Sequence, residues 1–188
     1  MVINPTEFEL HLFHEGNLFQ SYNLFGAHVM KSETGTYTRF CVWAPKAMQV
    51  RLAGDFNNWV ADGFEFHKVN QEGVWQLSLE GDLTGAIYKY EIMTASGERL
   101  LKSDPYAFFS EVRPNTASIV CSLDGYKWND QKWLQKRDKR STLGEPMFIY
   151  ELHVGSCKKH EDGSFLTYRE LVEELIPYIL THGYTHIE

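Results

Sequence analysis

Only three cysteines occur, Cys41, Cys121 and Cys157, an odd and scattered set that excludes a disulfide framework and reads as small buried hydrophobes. No apolar run approaches the roughly 20 residues that a bilayer span needs. Met1-Val2-Ile3-Asn4-Pro5 lacks the basic flank and apolar stretch of a secretory leader. A cytoplasmic protein without a membrane partner is expected. Positive charge is short as well: 18 Lys and Arg against 25 Asp and Glu give a net charge of −7, which disfavours a nucleic-acid partner. Metal-ligand sets do not assemble. His11 and His14 stand alone, and His153-x3-Cys157-x2-His160 lacks a fourth ligand, so no metal is assigned. What the 188 residues do have is apolar area, 43% hydrophobic and 14% aromatic, enough for one sizeable core and part of a second.

Taken in order, Thr6-Glu7-Phe8-Glu9 is a capping box, with Phe8, Leu12 and Phe13 at helical spacing behind it, so residues 1–21 form an N-terminal helical segment. From 22 to 123 the period changes to two. Strands are predicted at 27–30, 36–43, 49–53, 74–79, 87–94, 99–101 and 116–121, separated by turns such as Glu33-Thr34-Gly35 and Ser96-Gly97. Short strands with frequent Gly, Pro and Asn turns describe an antiparallel, immunoglobulin-like β-sandwich. Its core should join Trp75, Leu77 and Leu79 to Val50, Leu52, Tyr88, Tyr90 and Ile92, leaving Lys89 and Glu91 on the other face. The stretch 124–146 holds Trp128 and Trp133 among several Lys and Arg. It reads as a linker with a solvated charged face, the other reading being a basic tract for nucleic acid. Residues 147–188 then give an apolar run at Met147–Val154, a helix opened by the capping box Thr167-Tyr168-Arg169-Glu170 and closed by Gly183, and a strand at Thr185–Glu188. Strand, helix and strand make a βαβ unit.

One turn stands out, Leu52-Ala53-Gly54-Asp55-Phe56-Asn57-Asn58-Trp59. A sugar ring has an apolar face of C–H groups and a rim of hydroxyls, and a flat aromatic beside short amides suits both. Trp59 with Asn57 and Asn58 supplies that pairing; alternatively Trp59 caps the core and the asparagines only turn the chain.

Gly54-Asp55-Phe56-Asn57-Asn58-Trp59 resembles the signature turn of carbohydrate-binding module family 48. Lys102-Ser103-Asp104-Pro105-Tyr106-Ala107, Arg113-Pro114-Asn115-Thr116-Ala117-Ser118 and Tyr150-Glu151-Leu152-His153-Val154-Gly155-Ser156 resemble the front end of bacterial 1,4-alpha-glucan branching enzymes. The resemblance implies that Lys89, in Tyr88-Lys89-Tyr90, donates to sugar hydroxyls beside Trp59, and that Ser118 stands where other members place a longer polar residue. It also shows a departure: the hairpin Ala95–Leu100 carries no second stacking tryptophan.

What the resemblance implies for the rest follows. The partner is an α-1,4 glucan such as glycogen or a maltooligosaccharide, and no cofactor is required. Residues 147–188 open a (β/α)8 barrel of glycoside hydrolase family 13, which needs about 250 residues, and the module packs on that barrel in the full-length enzyme. Branching is a retaining double displacement by two carboxyls about 5 Å apart; they belong to later strands, so no catalytic residue is assigned and the chain alone is expected to be inactive. Two alternatives stand beside this: a freestanding glycogen-binding regulatory module, like those of AMP-activated kinase β subunits, and another family 13 enzyme of debranching or trehalose-forming type.

Overall fold

A computed structural model describes residues 4–33, 35–141 and 143–188; the Met1-Val2-Ile3 terminus and Thr34 of the expected 33–35 turn lie outside the described residues. The chain divides into two units, Met1–Tyr126 and Lys127–Glu188.

In the first unit α1 (Glu7–His14) begins at the anticipated capping box: Glu9 N–H donates to Thr6 Oγ1 at 3.2 Å, and the Glu9 carboxylate accepts from Thr6 N–H at 2.9 Å. The strands follow as β1 (Gly26–Ser32), β2 (Gly35–Trp43), β3 (Gln49–Gly54), β4 (His67–Lys68), β5 (Val74–Glu80), β6 (Ile87–Met93), β7 (Arg99–Lys102), β8 (Phe109–Ser110) and β9 (Ser118–Ile119). One sheet runs β1-β2-β5-β4 and the other β3-β6-β9-β8, with β7 also paired to β6. Every pairing in both sheets is antiparallel. The core between them joins Ala27, Phe40, Val42 and Trp75 to Val50, Leu52, Tyr88, Tyr90 and Val120, with Leu77, Leu79 and Ile92 packed against it. These are the faces that period-two alternation selects. The protein is thus mainly β, a sandwich of antiparallel sheets.

Alternation does not describe β2, where Tyr37 through Val42 are all buried. Phe40 and Val42 face the core between the sheets. On the outer side Cys41 and Val74 meet Leu10 of α1 together with Leu24 and Phe25, and these form a second buried cluster. Polar contacts secure the cover: Arg39 Nη2 donates to the carbonyls of Asn23 and Leu24 at 3.0 and 3.1 Å, and Gln76 Nε2 donates to Asn4 Oδ1 at 2.6 Å. At one edge the backbone bonds from Leu52 N–H to Phe64 O and from Phe66 N–H to Val50 O carry the chain along β3 before β4 joins β5, so this segment passes from one sheet to the other.

In the second unit, α2 (Gln131–Asp138) forms inside the stretch read as a linker. The apolar run at 147–154 yields only a two-residue strand, β10 (Ile149–Tyr150), before the chain turns into α3 (Val154–Cys157). α4 (Tyr168–His182) opens on the Thr167–Glu170 capping box, runs through Pro177, and ends on Gly183 with φ 73°, the left-handed C-cap that glycine favours. β11 (His186–Ile187) then pairs parallel to β10, completing a strand–helix–strand unit. Leu171 and Ile179 are buried, while Val172, Ile176 and Leu180 are exposed. Among the described residues no helix is long and apolar enough to cross a membrane.

Candidate functional site

The signature turn leaves β3 at Gly54, where a Cβ atom would lie 2.5 Å from the Ile87 carbonyl oxygen and 2.5 Å from the Phe56 ring, so only glycine lets β3 end this close to β6. Asp55–Asn57 then make one 3₁₀ turn. Asn57 closes it: Oδ1 accepts from Gly54 N–H and Nδ2 donates to Leu52 O, both at 2.9 Å. Its amide is therefore occupied in shaping the turn. Asn58 and Trp59 follow in the left-handed region, with φ 52° and 62°. Asparagine tolerates that conformation, but for a residue such as tryptophan it costs about 1–2 kcal/mol. The Trp59 N–H donates to Gly54 O at 2.8 Å and the indole remains 45% exposed. Strain kept at a surface aromatic is a pointer to function.

Lys89 lies nearby in the sheet. Ala53 pairs with Lys89 and Gly54 with Tyr88, so Lys89 is adjacent to the strand end from which the Trp59 turn departs. Because the Tyr88 and Tyr90 rings belong to the core, Lys89 stands on the outer face. Its ammonium donates to Thr116 Oγ1 at 2.7 Å. Further along the same face the Arg51 guanidinium lies 2.6 Å from Asp62, 3.7 Å from Glu65 and 3.6 Å from Glu91, so its charge is answered by carboxylates.

Ser118 requires a correction. It pairs with core-facing Tyr88 and is 1% exposed, and its hydroxyl accepts from Asp104 N–H at 2.8 Å. A sugar cannot reach it. Thr116 is instead the exposed residue of this segment, and sequence reasoning passed over it because alternation fails at the entry to β9: Ala117 and Ser118 are both buried.

Behind this surface lies a buried polar knot. Asp104 Oδ2 accepts from the Tyr88 hydroxyl at 2.6 Å and the Tyr90 hydroxyl at 2.8 Å, and Oδ1 accepts from Tyr106 N–H at 2.8 Å. Burial pushes the Asp104 carboxyl above the usual range, opposed by the Tyr88 hydroxyl, the Tyr106 amide and the Tyr90 hydroxyl. The two phenols are driven well up by the same burial and by the adjoining carboxylate. Among the described residues no three His, Cys, Asp or Glu side chains converge as metal ligands.

Residues 24–107 match the family model of carbohydrate-binding module 48, the isoamylase N-terminal domain. The first unit is thus similar to family 48 carbohydrate-binding modules over these residues. Along its whole length the chain is also homologous to branching enzymes. It is 57% identical over 188 residues to the 1,4-alpha-glucan branching enzyme GlgB of Geobacillus stearothermophilus, covering 100% of this chain and 29% of that protein. The enzyme of the same name from Bacillus subtilis is 55% identical over 186 residues, covering 98% of this chain and 30% of the relative. The chain thus spans about three tenths of the length of these curated relatives. Among solved structures, a ligand-free PulA mutant from Klebsiella pneumoniae superposes with a TM-score of 0.61 at 22% identity over 89% of this chain and 18% of that one, a likeness of fold. The family 48 match stops at Ala107, short of Thr116 and of the β8–β9 hairpin that completes the second sheet.

Proposed function

We propose that the first unit binds α-1,4 glucan through Trp59, Lys89 and Asn58, with Asn57 shaping the turn, and that it serves a 1,4-alpha-glucan branching enzyme. In that enzyme a glucan segment is cut and transferred to a 6-hydroxyl. The first unit contributes binding, and no residue of this chain is assigned to breaking or remaking the bond. The observation that carries the binding reading is Trp59, a 45% exposed aromatic on a left-handed backbone, in a turn that leaves the strand end paired with Lys89. The indole face offers its area to the C–H face of a glucose ring, and Lys89 offers donors to the hydroxyl rim. Identity to branching enzymes that continues through residues 127–188 favours this role over that of a freestanding regulatory module. We place residues 147–188 at the start of a catalytic barrel, with the module packed against that barrel and working in the cytoplasm; the parallel pairing of β10 with β11 across α4 supports the barrel assignment.

Titration of the chain with maltoheptaose, followed by tryptophan fluorescence, tests the binding. Saturable quenching that Trp59→Ala weakens by about tenfold or more is expected, since a stacked aromatic contributes about 1.4 kcal/mol or more of affinity. A wild-type chain that binds no glucan would remove the site.

A further inference from the structure

Lys89 Nζ and Thr116 Oγ1 meet at 2.7 Å, although they stand 27 positions apart and on different elements. What holds Thr116 there is not its own strand, because β9 begins only at Ser118. Two neighbouring bonds fix the approach. The Ser103 hydroxyl donates to the Thr116 carbonyl, and the next residue, Asp104, donates its N–H to Ser118 Oγ at 2.8 Å. Residues 103–104 therefore grip the 116–118 segment on both sides of Ala117. The same Asp104 is bound from behind by Tyr88 and Tyr90, the residues that flank Lys89 on β6. The contacts close a circuit. From the Lys89 backbone it passes through the two phenols to the Asp104 carboxylate, through Ser103 and Ser118 to Thr116, and back to the Lys89 ammonium.

We propose that Asp104 is a positioning residue of the glucan surface, which sets the 116–118 segment so that Thr116 holds the Lys89 ammonium in place for the sugar. This rests on the binding reading given above. Asp104 is 6% exposed, so it touches no ligand and acts through Lys89 alone. A lysine left without such a partner loses rotamer freedom only on binding, and the affinity falls accordingly. With Thr116 fixed, that ordering is already complete in the free protein.

The test is a double-mutant cycle on maltoheptaose affinity in the whole chain, using Asp104→Asn and Lys89→Met singly and together. Asparagine keeps the shape of the side chain and removes the charge. If Asp104 acts through Lys89, Asp104→Asn weakens binding about fivefold in the Lys89 background and changes it less than twofold once Lys89 is methionine, the non-additivity expected of coupled residues. Ser118→Ala cuts the same grip at its other end and should behave alike, which keeps the inference open to refutation if Asp104→Asn fails to fold. A purely structural role predicts equal factors in both backgrounds, and that result would overturn the positioning role while leaving the binding site intact. Wild-type chain that ignores maltoheptaose would overturn both.

Discussion

The Tyr88 hydroxyl donates to a carboxylate that has almost no contact with water, and this makes Tyr88→Phe a sharp probe of the buried knot. Burial holds the Asp104 pKa above its unfolded value, and the Tyr88 hydroxyl is the strongest of the groups opposing that rise, followed by the Tyr106 amide, the Tyr90 hydroxyl and, last, His28 on β1. A raised folded pKa means that ionisation of Asp104 works against folding. Its contribution is most favourable below the unfolded value and is lost as pH rises through the folded one. Removing the Tyr88 hydroxyl raises the folded pKa further and so steepens the loss. In acid, where Asp104 is neutral, the variant gives up one neutral hydrogen bond, about 1 kcal/mol. Near neutral pH it gives up a bond to a buried charge, about 2–3 kcal/mol. Urea unfolding at both pH values, followed through amide exchange of Val50, Leu52 and Tyr90 so that the second unit does not contribute, should show the difference. A cost that is equal at the two pH values, or larger in acid, would refute the reasoning.

Two further substitutions or labels check other parts of the structure. Gly54→Ala places a Cβ against the Ile87 carbonyl at 2.5 Å, where backbone must yield, and should cost about 1–3 kcal/mol in unfolding while also weakening maltoheptaose binding; a variant as stable as wild type would show that β3 and β6 are not this close. Burial beneath the N-terminal cover pushes the Cys41 thiol up to about 12, whereas Cys157 is exposed, so iodoacetamide near pH ~8 should modify Cys157 in the native chain and Cys41 only after unfolding. Comparable native rates, read by peptide mass spectrometry, would place Cys41 elsewhere.

The sandwich was legible because its signal is local. Alternation in 74–79 and 87–94, with turns between them, names the same apolar faces that meet in the core. The capping boxes at Thr6 and Thr167 were equally local and appear as drawn. Two-residue strands such as β4 and β8 carry no period that could be read, and β8 falls among aromatics that suggest a loop. The candidate site divides in the same way. Trp59 follows from the turn and the outward side of Lys89 from strand parity, whereas Ser118 rested on the family resemblance alone, and nothing local in the sequence shows that its side chain is buried at the start of β9. Asp104 was given no role, since a lone Asp before Pro105 shows nothing in sequence of the two phenols that converge on it from β6.

The N-terminal segment decides which outer face of the sandwich is left for the proposed glucan surface. A sandwich of this kind has two outer faces, and an open face is what a sheet needs in order to receive a ligand on its strands. α1 and the segment up to Phe25 occupy one of them, burying Leu10, Leu24 and Phe25 against Cys41 and Val74 and offering two backbone carbonyls to Arg39 Nη2. The N-terminal cover lies on the other sheet, and on β3-β6-β9-β8 Lys89 meets Thr116 beside the strand end from which the Trp59 turn departs. Both the cover, up to Asn23, and the last hairpin lie outside residues 24–107, the span matched to the family. A version of the module trimmed to that span would lose Thr116 and expose Val74 and Cys41 on the opposite side. Its failure to bind or fold would therefore reflect the missing flanks, and glucan binding is properly measured on a chain that includes residues 4–121.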